Sequence, residues 1–315
     1  LHRVDRRQRQ MCIRDRFDVA AGNPVFERDI GRHSPAWSQV SLQRASRRAQ
    51  AGAAAVSIAA WLLLWWLSAA GYSAAQPQYI YRASSNVIFW LMMLALGSAL
   101  LLDMLAVRAG LPGISNDVSA RRWELLRLTP LRESSIVTGK HAAAQLRVWR
   151  ALAVVVGLRA ATAGLFIVNV FGLSYVLNGV PLFLREELPA APLILMSVGV
   201  FMAVYVLEPV WRVRAMTALG LVISSYALDR SLAVLVGGAA LAAVWLAQTV
   251  IMSALLAAMY GMLFSAVVFS TDALVTSAFL FGFSLVIASA VVGFHTVLRR
   301  WSLRQVHRRV SRTAN

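Results

Sequence analysis

The chain has 315 residues, 59% of them hydrophobic and 14% charged, with a formal net charge of +17. A soluble domain carries roughly 45–50% apolar and about 25% charged residues, and a globule of this size still leaves much of its surface in water. The composition therefore excludes a soluble domain and predicts an all-α, polytopic integral membrane protein. Lys140 is the single lysine, so the basic excess is almost entirely arginine. The arginines flank apolar runs rather than forming one continuous basic face, which argues against nucleic acid as a partner. A single cysteine, Cys12, leaves no internal disulfide and no cysteine-based metal site.

Taken in chain order, Met11-Cys12-Ile13-Arg14-Asp15-Arg16 resembles the translation of a transposon-adaptor end of the kind used in sequencing libraries. Residues 1–16 are accordingly read as an assembly artefact and set aside from fold reasoning. Residues 17–50 form an N-terminal segment. Within it, 34–50 suits a helix carrying Trp37, Val40 and Leu42 on one side and Arg44, Arg47 and Arg48 on the other, lying along the headgroups. A solvated basic linker is the alternative.

A crossing helix needs about 20 apolar residues to traverse roughly 30 Å of hydrocarbon. Six runs qualify: 53–75, 87–107, one within 151–177, 193–211, 231–252 and 273–298. The expectation is a six-span domain over 51–298, with a long charged loop at 108–150 and a basic tail at 299–315. Two places resist this scheme. Residues 215–228 are apolar but too short to cross, which suits a re-entrant or interfacial helix. Arg159 interrupts the third run, so that span starts near Ala160 or Arg159 faces a protein interior, because a lipid-facing arginine is costly. The first alternative is the expected one, since 160–177 alone nearly spans the membrane.

Orientation follows from the arginines. They crowd the segment before the first run, the 108–150 loop, the connection holding Arg212, Arg214 and Arg230, and the tail after 298. The alternate loops carry only Arg82 and Arg185. The positive-inside rule then places both termini in the cytoplasm.

The 108–150 loop is the most distinctive stretch. Asn116 and Asp117 suit the start of a short helix, and Thr129-Pro130 stops it. A second helix can then begin with Pro130 in its first turn and re-enter the bilayer. Such a short surface helix is a docking element or merely a membrane-surface helix.

The run Arg122-Trp123-Glu124-Leu125-Leu126-Arg127-Leu128-Thr129-Pro130-Leu131, followed by Ile136-Val137-Thr138-Gly139-Lys140, resembles the signature of permeases of the second ABC exporter class. Glu124, Leu125, Leu126, Thr129, Pro130, Leu131, Gly139 and Lys140 match that pattern. Arg122-Trp123 stands where Gly-Thr is usual, Arg132 replaces Ser, and Ser135 replaces a second Glu. Weaker similarities lie at Asn23-Pro24-Val25-Phe26-Glu27-Arg28 and at Ala218-Leu219-Gly220-Leu221 through Ser224-Ser225. The resemblance implies a permease subunit of a bacterial cytoplasmic membrane, paired with a second permease copy and with cytoplasmic ATPase subunits. It places Glu124, Leu125, Leu126, Leu128, Thr129, Pro130 and Leu131 at the ATPase contact. ATP and Mg would then be bound by the partner ATPase, and this chain would bind no cofactor.

No GxxxxGK[ST] phosphate loop occurs: Gly139-Lys140 is followed by His141 and lacks the upstream glycine. The five histidines are scattered, so no metal site is read from them. Nothing in the chain reads as an enzyme. Polar residues inside membrane spans are functional candidates by default, which singles out Asp103, Arg159 and Glu208. Asp103 is expected to pair with a loop arginine. Glu208, beside Pro209 and one turn before Arg212, either closes an ion pair that holds a bend or lines a pathway. His295 reads as an interfacial residue. The competing readings are a membrane-embedded enzyme or assembly factor and an ion-coupled secondary transporter.

Overall fold

The computed structural model describes residues 77–119, 133–178, 191–226, 230–269 and 273–312, with 23, 25, 26, 29, 51, 55, 126 and 128 as isolated positions. The expected first span at 53–75, the 34–50 helix and residues 1–16 lie outside the described residues. Among the described residues every element is helical: α1 (Pro77–Gly110), α2 (Pro112–Ser119), α3 (Glu133–Asn178), α4 (Ala191–Tyr226), α5 (Arg230–Phe269) and α6 (Ala273–Arg312). All but α2 are long and apolar enough to cross a membrane, so five crossings are described.

The helices are longer than their apolar runs. The 36 residues of α4 and the 46 of α3 extend about 54 and 69 Å, against roughly 30 Å of hydrocarbon. Helical hydrogen bonding satisfies the backbone wherever it lies, so a crossing helix continues past the bilayer when protein covers it. Three expectations change as a result. Arg159 does not mark a boundary, because α3 runs unbroken from Glu133. The stretch after Arg214 is no separate interfacial helix but the last turns of α4, which passes through Pro209. The basic stretch after 298 is helical to Arg312. Asn116 also proves to be inside α2 rather than at its cap, since Pro112 occupies the first position.

The solvent preference of the surface is inverted relative to a soluble protein. Trp90, Leu94 and Leu101 on α1 and Leu235 and Leu246 on α5 face outward, while Asp103, Arg159, Glu208 and Arg212 are buried. Lipid is the medium that makes both placements favourable.

Helix α4 occupies the centre and touches every other helix. One layer of the core brings Leu102 and Val107 of α1, Val148 and Leu152 of α3, Val213 and Met216 of α4 and Leu241 of α5 together. The α1–α4 crossing is set by two glycines. A Cβ on Gly220 would lie 2.4 Å from the Val107 carbonyl oxygen, and one on Gly110 would lie 2.6 Å from the Thr217 carbonyl oxygen. The two backbones touch directly, as small residues permit between membrane helices.

A second core lies beyond this crossing. It joins Val25, Ile114 of α2, Leu126, Ile136 and Val137 of α3, Leu221 and Val222 of α4, and Val306 and Val310 of α6. One end of the bundle thus gathers the N-terminal segment, α2, the start of α3, the end of α4 and the end of α6. Successive long helices run towards this end and away from it in turn.

Gly220→Ala is expected to destabilise the chain by about 1–3 kcal/mol, the cost of overpacking a close contact. Gly97→Ala, where a Cβ meets nothing within 4 Å, is the control. Unfolding midpoints of the two variants in detergent check this; equal midpoints would remove the crossing as a constraint.

Candidate functional site

Two features are candidates: a charge cluster within the helix bundle, and the multi-segment cluster at its end. The first draws on all five long helices. Asp103 of α1 is 0% exposed, and its Oδ2 lies 3.0 Å from Arg212 Nε of α4. Arg212 Nη1 also reaches Glu208 Oε1, one helical turn earlier, at 2.9 Å. Arg159 of α3 donates from Nη1 to Glu208 Oε2 at 2.7 Å and to the Tyr205 carbonyl at 2.9 Å. Two carboxylates and two guanidiniums therefore neutralise one another in a buried setting where an unpaired charge would be costly.

Helix α5 supplies the outer partners. Trp245 donates its indole N–H to Asp103 Oδ2 at 2.9 Å, and Arg212 donates to Gln248 Oε1 at 2.5 Å. The Arg212 guanidinium sits 4.8 Å from the Trp245 ring centroid, and that of Arg159 lies 5.0 Å from the Tyr205 ring. Delocalised, weakly hydrated guanidinium tolerates such stacking better than an ammonium does. From α6, His295 donates Nδ1–H to the Val291 carbonyl at 2.8 Å and points Nε2 at Glu208 Oε1, 3.6 Å away.

Asp103, Arg159 and Glu208, the three polar residues singled out within the spans, are thus brought together. Arg159 faces the protein interior, the second of the two alternatives given for it above. Arg212, counted above as a loop charge, is the hinge of the cluster. His295 is fully buried rather than interfacial. Trp245 and Gln248 were missed; a lone amide within the apolar run 231–252 is the signal that could have flagged Gln248.

The depth of the cluster follows from helix rise. Arg108 on α1, Arg150 on α3, Arg214 on α4 and Arg300 on α6 lie on the side nearest the second core. Asp103, Glu208 and His295 sit five or six positions further in and Arg159 nine, about 7–14 Å along each axis, while Arg212 is two positions in.

At that end, Lys140 is 3% exposed and pairs with Asp29 at 3.3 Å and with Asp117 of α2. The only lysine of the chain therefore ties the N-terminal segment and α2 to α3. Asn23 donates Nδ2–H to the Ser135 carbonyl at 2.8 Å, and its Oδ1 accepts from the Val25 amide at 3.0 Å. Gly139 leaves room for this amide: an added Cβ would lie 2.9 Å from Asn23 Nδ2, and the Asn23 side chain would have to shift. Ser224 Oγ of α4 accepts from the amides of Ile114 and Ser115 at 3.0 and 2.9 Å. Those first-turn amides have no partner within α2, so a distant hydroxyl takes the place of a local cap.

Of the seven positions assigned above to an ATPase contact, two are described. Leu126 is 7% exposed and belongs to the second core, whereas Leu128 is 83% exposed. Glu124, Leu125, Thr129, Pro130 and Leu131 lie outside the described residues. Among the described residues no three metal-capable side chains converge. Comparison with protein-family models, with curated proteins and with solved structures finds no match.

Removing one partner of a buried ion pair costs about 3–5 kcal/mol. Arg159→Met leaves the cluster with a net negative charge, and adding Glu208→Gln restores neutrality. The double variant is therefore expected to unfold at a higher temperature than Arg159→Met alone. A double variant whose destabilisation equals the sum of the two single changes would show that these residues are energetically independent.

Proposed function

We propose that the chain is the membrane-spanning permease subunit of an ATP-driven ABC exporter, forming a substrate pathway and coupling to a separate ATPase. The observation that carries this reading is the meeting of three segments far apart in the chain. Asn23 and Val25, Gly139 and Lys140, and Gly220 to Ser224 each belong to a stretch that resembles the permease pattern. They lie in one contiguous cluster, bound by the Asn23–Ser135, Lys140–Asp29 and Ser224–Ile114 contacts. Motif matches arising by chance have no reason to share a location.

Chain continuity supports a sixth crossing. The N-terminal residues Asn23 to Asp29 sit at the multi-segment end, and α1 reaches that same end only at its C-terminus. The apolar run 53–75 lies between these two points in the sequence, which fits the expected sixth span. Both ends of the chain then share a face with the 108–150 loop. The density of arginine on that face argues that it is cytoplasmic, in the cytoplasmic membrane of a bacterium.

In this reading ATP and Mg bind to the partner, and two permeases assemble with two ATPases. The exposed Leu128 contributes to the ATPase contact, while the buried Leu126 anchors the contact segment to α3, α4 and α6. The charge cluster gives α1, α3 and α4 a rigid frame on which an ATPase-driven displacement at the cytoplasmic end can act. Each carboxylate already faces a guanidinium, so uptake of a driving cation there would require an ion pair to be broken.

Co-purification of the full chain with a P-loop ATPase encoded beside it is the direct test. Wild type is expected to retain the ATPase at stoichiometric level, and Leu128→Asp to lose it while still inserting and unfolding at the wild-type temperature. Failure of wild type to retain any such ATPase would sink the assignment.

A further inference from the structure

Beyond Leu298 the apolar stretch of α6 ends and the helix carries Arg299, Arg300, Arg304, Arg308, Arg309 and Arg312, with no aspartate or glutamate anywhere along it. At 3.6 residues per turn these side chains separate by face. His295, Ser302, Val306 and Val310 are buried, the valines within the second core. Val297, Arg300, Trp301, Arg304, Arg308 and Ser311 are exposed and fall within an arc of about 100° on the opposite side. Arg309 belongs to neither face; its guanidinium lies 5.3 Å from the Tyr226 ring centroid on α4.

The position of this stripe along the helix selects its partner. The apolar stretch from Leu274 to Leu298 spans about 37 Å, enough to cross the hydrocarbon with modest tilt. Arg300 and Trp301 then emerge at the boundary. The headgroup layer is about 5–8 Å deep on each side. Arg304 stands about 6 Å further out, within that layer, and Arg308 about 12 Å further out, past the layer, from where its long side chain can reach back to the headgroups. Trp301 is 49% exposed, and an indole at this level is the usual interfacial anchor. The planar guanidinium fork matches phosphate oxygens two at a time, which a lysine cannot do. Of the described acids, Asp29 and Asp117 hold Lys140 and Asp103 and Glu208 lie inside the bundle, which leaves Glu133 in the first turn of α3 as the one described acid outside these ion pairs.

We propose that Arg300, Trp301, Arg304 and Arg308 form a seat for the headgroups of anionic phospholipids. The seat fastens the end of α6, and through Val306 and Val310 the second core, to the membrane surface. It does not depend on the transport reading, because the interaction needs only this chain and a lipid.

The test uses the purified full chain in neutral detergent, titrated with phosphatidylglycerol, phosphatidylcholine or inorganic phosphate, with the thermal unfolding midpoint as readout. Phosphatidylglycerol is expected to raise the midpoint, as a ligand of the folded state must, and about 0.5 M salt to diminish the rise. The triple variant R300Q/R304Q/R308Q should match wild type without lipid, since the three side chains are exposed. Its affinity for phosphatidylglycerol should fall by on the order of 100-fold, each arginine near an anionic surface contributing roughly fivefold. R300K/R304K/R308K keeps the charge without the fork and should fall between the two.

Equal shifts with phosphatidylcholine would overturn the proposal, and so would full reproduction of the effect by inorganic phosphate. An unchanged lipid response in the glutamine variant would do the same. If that variant keeps its lipid response but loses a co-purifying acidic protein, the stripe is a protein interface and the lipid assignment is wrong.

Discussion

The interaction on which the rest of the structure depends is the reciprocal neutralisation of Asp103 and Glu208 by Arg212 and Arg159. Four formal charges within an apolar bundle are tolerable only together, because any one left alone keeps the full cost of leaving water. That condition dictates geometry. It requires α1, α3 and α4 to present these residues at one level, and it orients α5 through Trp245 and Gln248 and α6 through His295. Apolar packing in a membrane has weak directional preference, since lipid tails are as apolar as the side chains they would replace. Charge pairing supplies the register that hydrophobicity alone leaves undetermined.

The direct backbone contact at Gly110 and Gly220 works with this register. It brings α1 and α4 close enough for Asp103 to reach Arg212, and it lies between the charge cluster and the second core. Past it, the apolar residues of the second core, from the N-terminal segment, α2, α3, α4 and α6, are covered by one another. Burial within protein accounts for the apolar character of 215–226: Met216, Leu221 and Ile223 are buried against neighbouring helices. The same end is stapled by Lys140, Asn23 and Ser224, each a polar side chain reaching a segment distant in sequence. Displacement of the loop between α2 and α3 would therefore be felt directly by α3, α4 and α6.

Much of the architecture was legible in the chain itself. Apolar run length identified the five described candidate spans, and the rarity of ionisable residues within them singled out Asp103, Arg159 and Glu208. Helix ends were less legible. Composition changes where a helix leaves lipid, whereas the helix itself stops only where its backbone hydrogen bonding stops, so α3, α4 and α6 all outrun their apolar segments. The partners of the polar residues were illegible for a different reason. Arg212 and His295 look like boundary residues in one dimension, and Trp245 and Gln248 look like filler in an apolar run. Only the crossing of their helices brings them to Asp103 and Glu208.

By itself, then, the sequence determined the solvent, the helical class and the asymmetric placement of arginine. Each follows from the transfer energy of side chains and backbone into hydrocarbon, which is local and additive along the chain. Tertiary structure decided which charges meet and where the three motif-bearing segments converge. It also decided which of Leu126 and Leu128 is available to a partner. Those outcomes depend on helix register and crossing distance, set by pairwise contacts such as Gly110 against Gly220 that no single stretch of sequence contains.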